Sequence, residues 1–241
     1  MKRINRIFIY VCLAVFISVL TGCEKISSEY KRTTSAESSD IDMTYISEDI
    51  TRSPELSDFV RNVCVIGDSI GYGYSHYKRI PSERCCAQKG ISLSEARENI
   101  FTVEGLGDYS AAEFMERMKP DYLMIVLGMN DIPYGDPNGF AESYMEFAKE
   151  LHEISQDTRI FVMSITPVEF DTDTVTNEGV DEYNRALEEM FDGCSFAEFT
   201  DAAQALRNED GYMDEEVSAG DGIHLNEAAY DRLLGQMQSY I

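Results

Sequence analysis

The sequence predicts an α/β fold in which a parallel sheet lies between layers of helices. Three observations predict it. Short apolar runs alternate with amphipathic stretches from about residue 59 to Ile241, which is the pattern of strand–helix units. Tyr122-Leu123-Met124-Ile125-Val126-Leu127 is apolar at every position, as a strand covered on both faces requires. The amphipathic stretches carry apolar residues three and four apart, the period of a helix with one buried stripe.

In chain order the expected strands are Val63–Gly67, Ile100–Glu104, Tyr122–Leu127, Ile160–Ser164 and Ser195–Phe199, making a five-stranded sheet. Helices fill the intervals. Ser110 with Glu113 forms a capping box ahead of Phe114, Met115 and Met118. Phe140, Tyr144, Phe147, Leu151 and Ile154 mark one apolar stripe, and Val180, Tyr183, Leu187 and Met190 a second. Ala229, Leu233, Met237 and Tyr240 mark the last. All of these are assigned to the core. The segment 59–241 falls within the usual size of one domain.

What precedes the domain is of another kind. Lys2, Arg3 and Arg6 form a basic start, Ile7 to Leu20 is almost unbroken apolar sequence, and Leu20-Thr21-Gly22-Cys23 follows. The apolar run is short for a membrane span and suits a secretory signal. Its ending on Leu-x-Gly-Cys resembles a bacterial lipoprotein signal, which implies cleavage of residues 1–22 and multiple acylation (palmitate among the chains) at Cys23. Residues 23–58, rich in Ser, Thr, Glu and Asp, read as a tether with too little apolar surface to offset ordering entropy. A coil of that length spans roughly 30–35 Å. The expected location is the cell membrane, lipid-anchored and facing away from the cytoplasm.

The whole chain has a formal charge of −24. Residues 1–22 hold three basic and no acidic side chains, so the remainder carries −27. Coulomb repulsion on that scale argues against nucleic acid and anionic headgroups as partners, and favours a neutral or cationic substrate. Cys12 belongs to the signal and Cys64 to an apolar run, and the sequence leaves open a Cys85–Cys194 or Cys86–Cys194 bridge. No Cys/His spacing fits zinc, and Asp171-x-Asp173 starts like a calcium loop but lacks its third ligand and its glycine. No metal or cofactor is expected.

Four blocks carry chemistry: Gly67-Asp68-Ser69-Ile70, Gly107, Gly128-Met129-Asn130-Asp131 and Asp221-Gly222-Ile223-His224. Serine is a poor nucleophile until a base takes its proton. Of the domain's histidines, His152 lies on a long amphipathic helix and is expected in solvent. His76 has no carboxylate close in sequence. His224 follows Asp221 by three residues, so one carboxylate can meet Nδ1 and leave Nε2 toward a serine. Asn130 follows an apolar strand, where it can donate to an oxyanion. Alone, each block reads as a turn or a helix cap. In this order and spacing they resemble the SGNH (GDSL-type) hydrolase family, over about residues 62–241. The resemblance implies Ser69 as nucleophile, His224 as base, Asp221 as its orienter, and the Ser69 amide, Gly107 and Asn130 as the oxyanion hole. Gly105 competes with Gly107 for that place, and Gly107 is preferred for the Gly-Asp-Tyr-Ser that it opens. The resemblance also implies a flavodoxin-like three-layer fold.

Thr166 and Pro167, at a strand end, and Tyr72, after the nucleophile, are expected to line the substrate pocket. The expected partner is an ester, foremost an O-acetylated envelope glycan, acted on by a monomer. Two alternatives stand beside it: a lysophospholipase or thioesterase, and a non-catalytic glycan-binding protein on the same scaffold.

Overall fold

The computed structural model describes residues 53–241. The signal, Cys23 and nearly all of the expected tether lie outside the described residues. The boundary expected near residue 58 falls inside a helix, α1 (Pro54–Asn62), capped by Ser53 and seated through Leu56, Phe59 and Val60. Its Pro-Glu-Leu-Ser start reads as polar sequence because only every third or fourth side chain is apolar.

The other elements are β1 (Val63–Gly67), α2 (Ser69–His76), β2 (Cys85–Ala87), α3 (Leu93–Glu98), β3 (Phe101–Val103), β4 (Gly107–Tyr109) and α4 (Ala111–Met118). There follow β5 (Tyr122–Val126), α5 (Pro137–Ile154), β6 (Arg159–Met163), α6 (Asn177–Phe191), β7 (Ala197–Thr200) and α7 (Glu227–Met237). Five strands form one sheet in the order β2-β1-β5-β6-β7, each pair parallel. The α/β/α sandwich with a five-stranded parallel sheet is therefore present.

One strand was misassigned. Residues 101–103 do not join this sheet; they pair antiparallel with Gly107–Tyr109 in a separate hairpin. Their burial alternates, with Phe101 and Val103 inside and Thr102 outside, the habit of a sheet with one wet face. The fifth parallel strand is Cys85–Ala87, three residues without an apolar run to announce it. Around the same sheet edge-to-edge span, the cysteine bridge is excluded. Cys85 and Cys86 lie on the β2 edge and Cys194 just ahead of β7 on the other, four strand spacings or about 19 Å away. A disulfide needs Cα atoms within about 7 Å, and all four described cysteines are free.

Alternate residues of the central strands feed two cores. Cys64, Ile66, Leu123, Ile125, Ile160 and Val162 face α3, α4, α5 and α6. Val63, Val65, Met124, Val126, Phe161 and Met163 face α1, α2 and α7. The last helix stops at Met237, and Tyr240 lies beyond it, its hydroxyl accepting the Asp201 N–H. The chain runs from β1 outward to β2, then returns to β5 on the other side of β1. That reversal opens a crevice between the carboxyl ends of β1 and β5, where open parallel sheets bind ligands.

Candidate active site

Ser69 and Asn130 stand on the two sides of this crevice. Ser69 is the first residue of α2, directly after β1. Asp68 caps the helix, its Oδ1 accepting the Ile70 N–H at 2.8 Å. The Ser69 N–H, first in the helix, has no intrahelical acceptor and points from the positive end of the helix dipole. The Asp68 N–H donates to the Val126 carbonyl at 3.0 Å, tying the turn that carries Ser69 to the end of β5.

His224 arrives from a loop ahead of α7. A bridge between Ser218 and Leu225 and the bond from Ala219 N–H to the His224 carbonyl (2.8 Å) close this loop. Asp221 Oδ1 accepts the Ile223 and His224 amides at 3.1 and 2.8 Å, which folds the carboxylate back onto its own turn. Its Oδ2 then lies 2.7 Å from His224 Nδ1. His224 Nε2 is 3.2 Å from Ser69 Oγ. Burial alone would raise the Asp221 carboxyl. The His224 amide and ring and the Ile223 amide outweigh it and hold the group at about 2. An ionised Asp221 fixes the proton on Nδ1, so Nε2 is free to accept the serine proton.

Asn130 lies past the end of β5. Its Nδ2 donates to the Ile91 carbonyl at 3.0 Å and stands 3.5 Å from Asp68 Oδ2. Asp131 is buried and holds the same loop from below, its two oxygens 3.2 and 3.1 Å from the Leu93 N–H. This pairing leaves no trace in the sequence because the residues are 38 apart and Leu93 contributes only backbone. Burial raises the Asp131 carboxyl to about 6 despite the Leu93 bond. Burial likewise raises Asp68 to about 7, against the pull of the Ile70 and Gly71 amides.

Gly107 opens β4 with φ +118 and pairs with Val103, while Gly105 sits in the turn between the strands. Both are exposed, and no hydrogen bond joins either to Ser69, Asn130 or His224. Thr166 is buried and lines a narrow cleft of about 10 Å³ with Asp68, Ile70, Val126, Leu127, Met129, Ser164 and Ile165. Its hydroxyl has no partner. Pro167 is buried and does not line this cleft. Tyr72 is half-buried on α2, between His76 and the Lys89 ammonium, which lies 4.7 Å from its ring centroid. His152 is a correction: it is half-buried, stacked on Phe196 at 4.8 Å, with Nδ1 enclosed and unpartnered. A roomier cleft of about 590 Å³ follows the β7 edge from Arg185 to Phe199 and includes none of these groups.

The sequence matches the GDSL-like lipase/acylhydrolase family over residues 65–232. The chain belongs to that family, and with it to the serine ester hydrolases. No curated protein matches the sequence. Solved structures of similar fold include a Streptococcus pneumonia protein named provisionally as a platelet activating factor, 20% identical, covering 80% of this chain and 94% of that one at TM-score 0.59. A GDSL-like lipase from Bacteroides thetaiotaomicron is 15% identical, with 74% and 86% covered and TM-score 0.53. A carbohydrate esterase family 3 protein from Talaromyces cellulolyticus is 16% identical, with 74% and 94% covered and TM-score 0.51.

Proposed function

We propose that this ester hydrolase works through Ser69, His224 and Asp221, on an O-acetylated glycan outside the cytoplasm, held to the membrane by lipid on Cys23. The observation that carries the catalytic reading is the unbroken line from Asp221 Oδ2 through the His224 ring to Ser69 Oγ, at 2.7 and 3.2 Å. His224 Nε2 takes the serine proton as Oγ attacks the ester carbonyl. The oxyanion is met by the Ser69 N–H, the Asn130 amide and the Gly107 N–H, each donor worth about 3 kcal/mol in the transition state. His224 then hands its proton to the departing alcohol, leaving an acyl-serine. Water enters, His224 takes one of its protons, and the acid leaves as the proton returns to Ser69 Oγ.

The acyl preference is read from the cleft flanked by the neighbours of Ser69. At about 10 Å³, the space of one water at most, it offers no channel for a long chain, which favours a short acyl group such as acetyl. The acidic surface favours a neutral glycan over a polyanion, and the name of the Talaromyces structure, a carbohydrate esterase, points the same way. The Leu-x-Gly-Cys at residues 20–23 supports the anchor and the location.

The test is hydrolysis of p-nitrophenyl esters by the wild-type protein and Ser69→Ala. The expected loss is about 10³-fold or more in kcat, with the acetyl ester preferred over octanoyl. Equal rates for the two proteins would remove Ser69 from the mechanism, and a rate rising with chain length would favour a lysophospholipase or thioesterase.

A further inference from the structure

Phe170 is 53% exposed, one of three large apolar side chains among the described residues that stand out in solvent. It lies on the segment after β6, and its ring rests on the loop that carries His224 and Asp221. A Cβ built on Gly222 would fall 2.7 Å from Phe170 Cζ and 3.0 Å from Cε1, at a backbone φ of +93 that also favours glycine. One face of the ring is thus spent on the catalytic loop. No aromatic ring of the described residues packs on it.

The segment is pinned on both sides of the ring, on one of them to the His224 loop itself. The Glu169 N–H donates to the Gly222 carbonyl at 2.9 Å, and the Glu169 carboxylate accepts the Ser218 hydroxyl at 2.8 Å. On the other flank Asp171 accepts the Asn177 N–H at 2.8 Å and the Tyr212 hydroxyl at 3.1 Å. An exposed aromatic anchored this way binds without a large ordering penalty, because its position is already set. Its place in the reaction follows from proton transfer. His224 must reach the oxygen of the leaving alcohol, so the alcohol departs on the side of the His224 loop. Phe170 covers that loop two residues away.

We infer that Phe170 is the platform of a leaving-group subsite that stacks the C–H face of a neutral sugar whose acetylated hydroxyl lies at Ser69. The inference rests on the esterase reading above. A negative aromatic face attracts polarised C–H bonds, and the carboxylates of Glu169 and Asp171 beside it accept hydrogen bonds from sugar hydroxyls. The same carboxylates repel an anionic sugar.

The experiment compares the full chain with Phe170→Ala and Phe170→Trp on p-nitrophenyl acetate, an O-acetylated neutral oligosaccharide and acetylcholine. The ratio of kcat/KM for the oligosaccharide to that for p-nitrophenyl acetate should fall roughly tenfold in Phe170→Ala, mostly through KM, and recover in Phe170→Trp. A parallel loss on both esters in both variants would make the ring only a brace for the loop and overturn the subsite, as would an unchanged ratio. A wild type that cleaves p-nitrophenyl acetate but not the oligosaccharide, or that prefers acetylcholine through Phe170, would overturn the sugar. Failure of the underlying esterase reading is separate: Ser69→Ala would then match the wild type on p-nitrophenyl acetate.

Discussion

At Asn130 the side-chain amide has two protons, and its surroundings divide them. One proton goes to the Ile91 carbonyl; the second lies toward Asp68 and the crevice. Asp131 keeps Ile91 in place through the Leu93 N–H. Asn130→Ala is therefore expected to lower kcat on p-nitrophenyl acetate about 100-fold with little change in KM. Asp131→Ala should lower kcat by a smaller factor, and steady-state kinetics of the double variant should show less than the product of the two losses. Independent effects would mean that the loop does not aim the amide.

Asp68 gives a pH-dependent expectation. Its folded-state value of about 7 lies above the ordinary 3.8, so the folded protein binds this proton more tightly than the unfolded chain. Its contribution is fully present below about 4 and is lost as pH rises through 7. Asp131, raised to about 6, acts in the same direction. Asp68→Asn keeps an acceptor for the Ile70 amide and has no proton to lose. Its melting temperature relative to the wild type should climb between pH 4 and 7 and level off above. A difference independent of pH would contradict the raised proton affinity that burial gives Asp68. Asp221, held at about 2, stays ionised across that whole range.

The element that sets the Ser69–His224 distance is the contact between α2 and α7. Tyr230 of α7 donates its hydroxyl to the Ile70 carbonyl at 3.0 Å, and its ring meets Tyr74 edge-on at 4.9 Å. Tyr77 reaches the Leu225 carbonyl, and the buried Arg79 binds Asp231 through two nitrogens at 2.6 and 2.8 Å. The approach is close enough that a Cβ on Gly73 would lie 1.7 Å from the Tyr230 oxygen. Gly73→Ala should therefore cost about 2–4 kcal/mol by overpacking and loss of the Tyr230 bond, and reduce activity with it. Gly235→Ala, on the open face of α7 with nothing within 4 Å, should instead raise stability by about 0.5–1 kcal/mol. Chemical denaturation of the two variants checks both signs.

How much of this was legible in the sequence differs by kind of residue. Strands β1, β5 and β6 announce themselves because burial on both faces demands unbroken apolar runs. The edge strand β2, only Cys85–Ala87, carries no such run, while the alternating Phe101-Thr102-Val103 reads as a strand yet belongs to a hairpin of its own. The approach of Asp221 to His224 was readable because it spans three residues. The contacts of Asn130 with Ile91, of Asp131 with Leu93 and of Phe170 with Gly222 were not, since they join distant segments through backbone atoms or the absence of a side chain. His152 was misplaced because its helix stripe shows which face is apolar but not that Phe196 covers the ring.

For the molecule as a whole, the parallel sheet provides the frame and the reversal of chain direction at β1 provides the crevice. Ser69 enters it from one strand, Asn130 from the next, and the loop before α7 brings His224 over the top. The most direct measurement of that convergence is labelling with an alkyl fluorophosphonate, followed by peptide mass spectrometry of the wild type, His224→Ala and Asp221→Asn. The adduct is expected on Ser69 alone, and labelling should slow by about 10³-fold or more when His224 is removed. An adduct on another residue, or undiminished labelling of Ser69 in His224→Ala, would contradict the account.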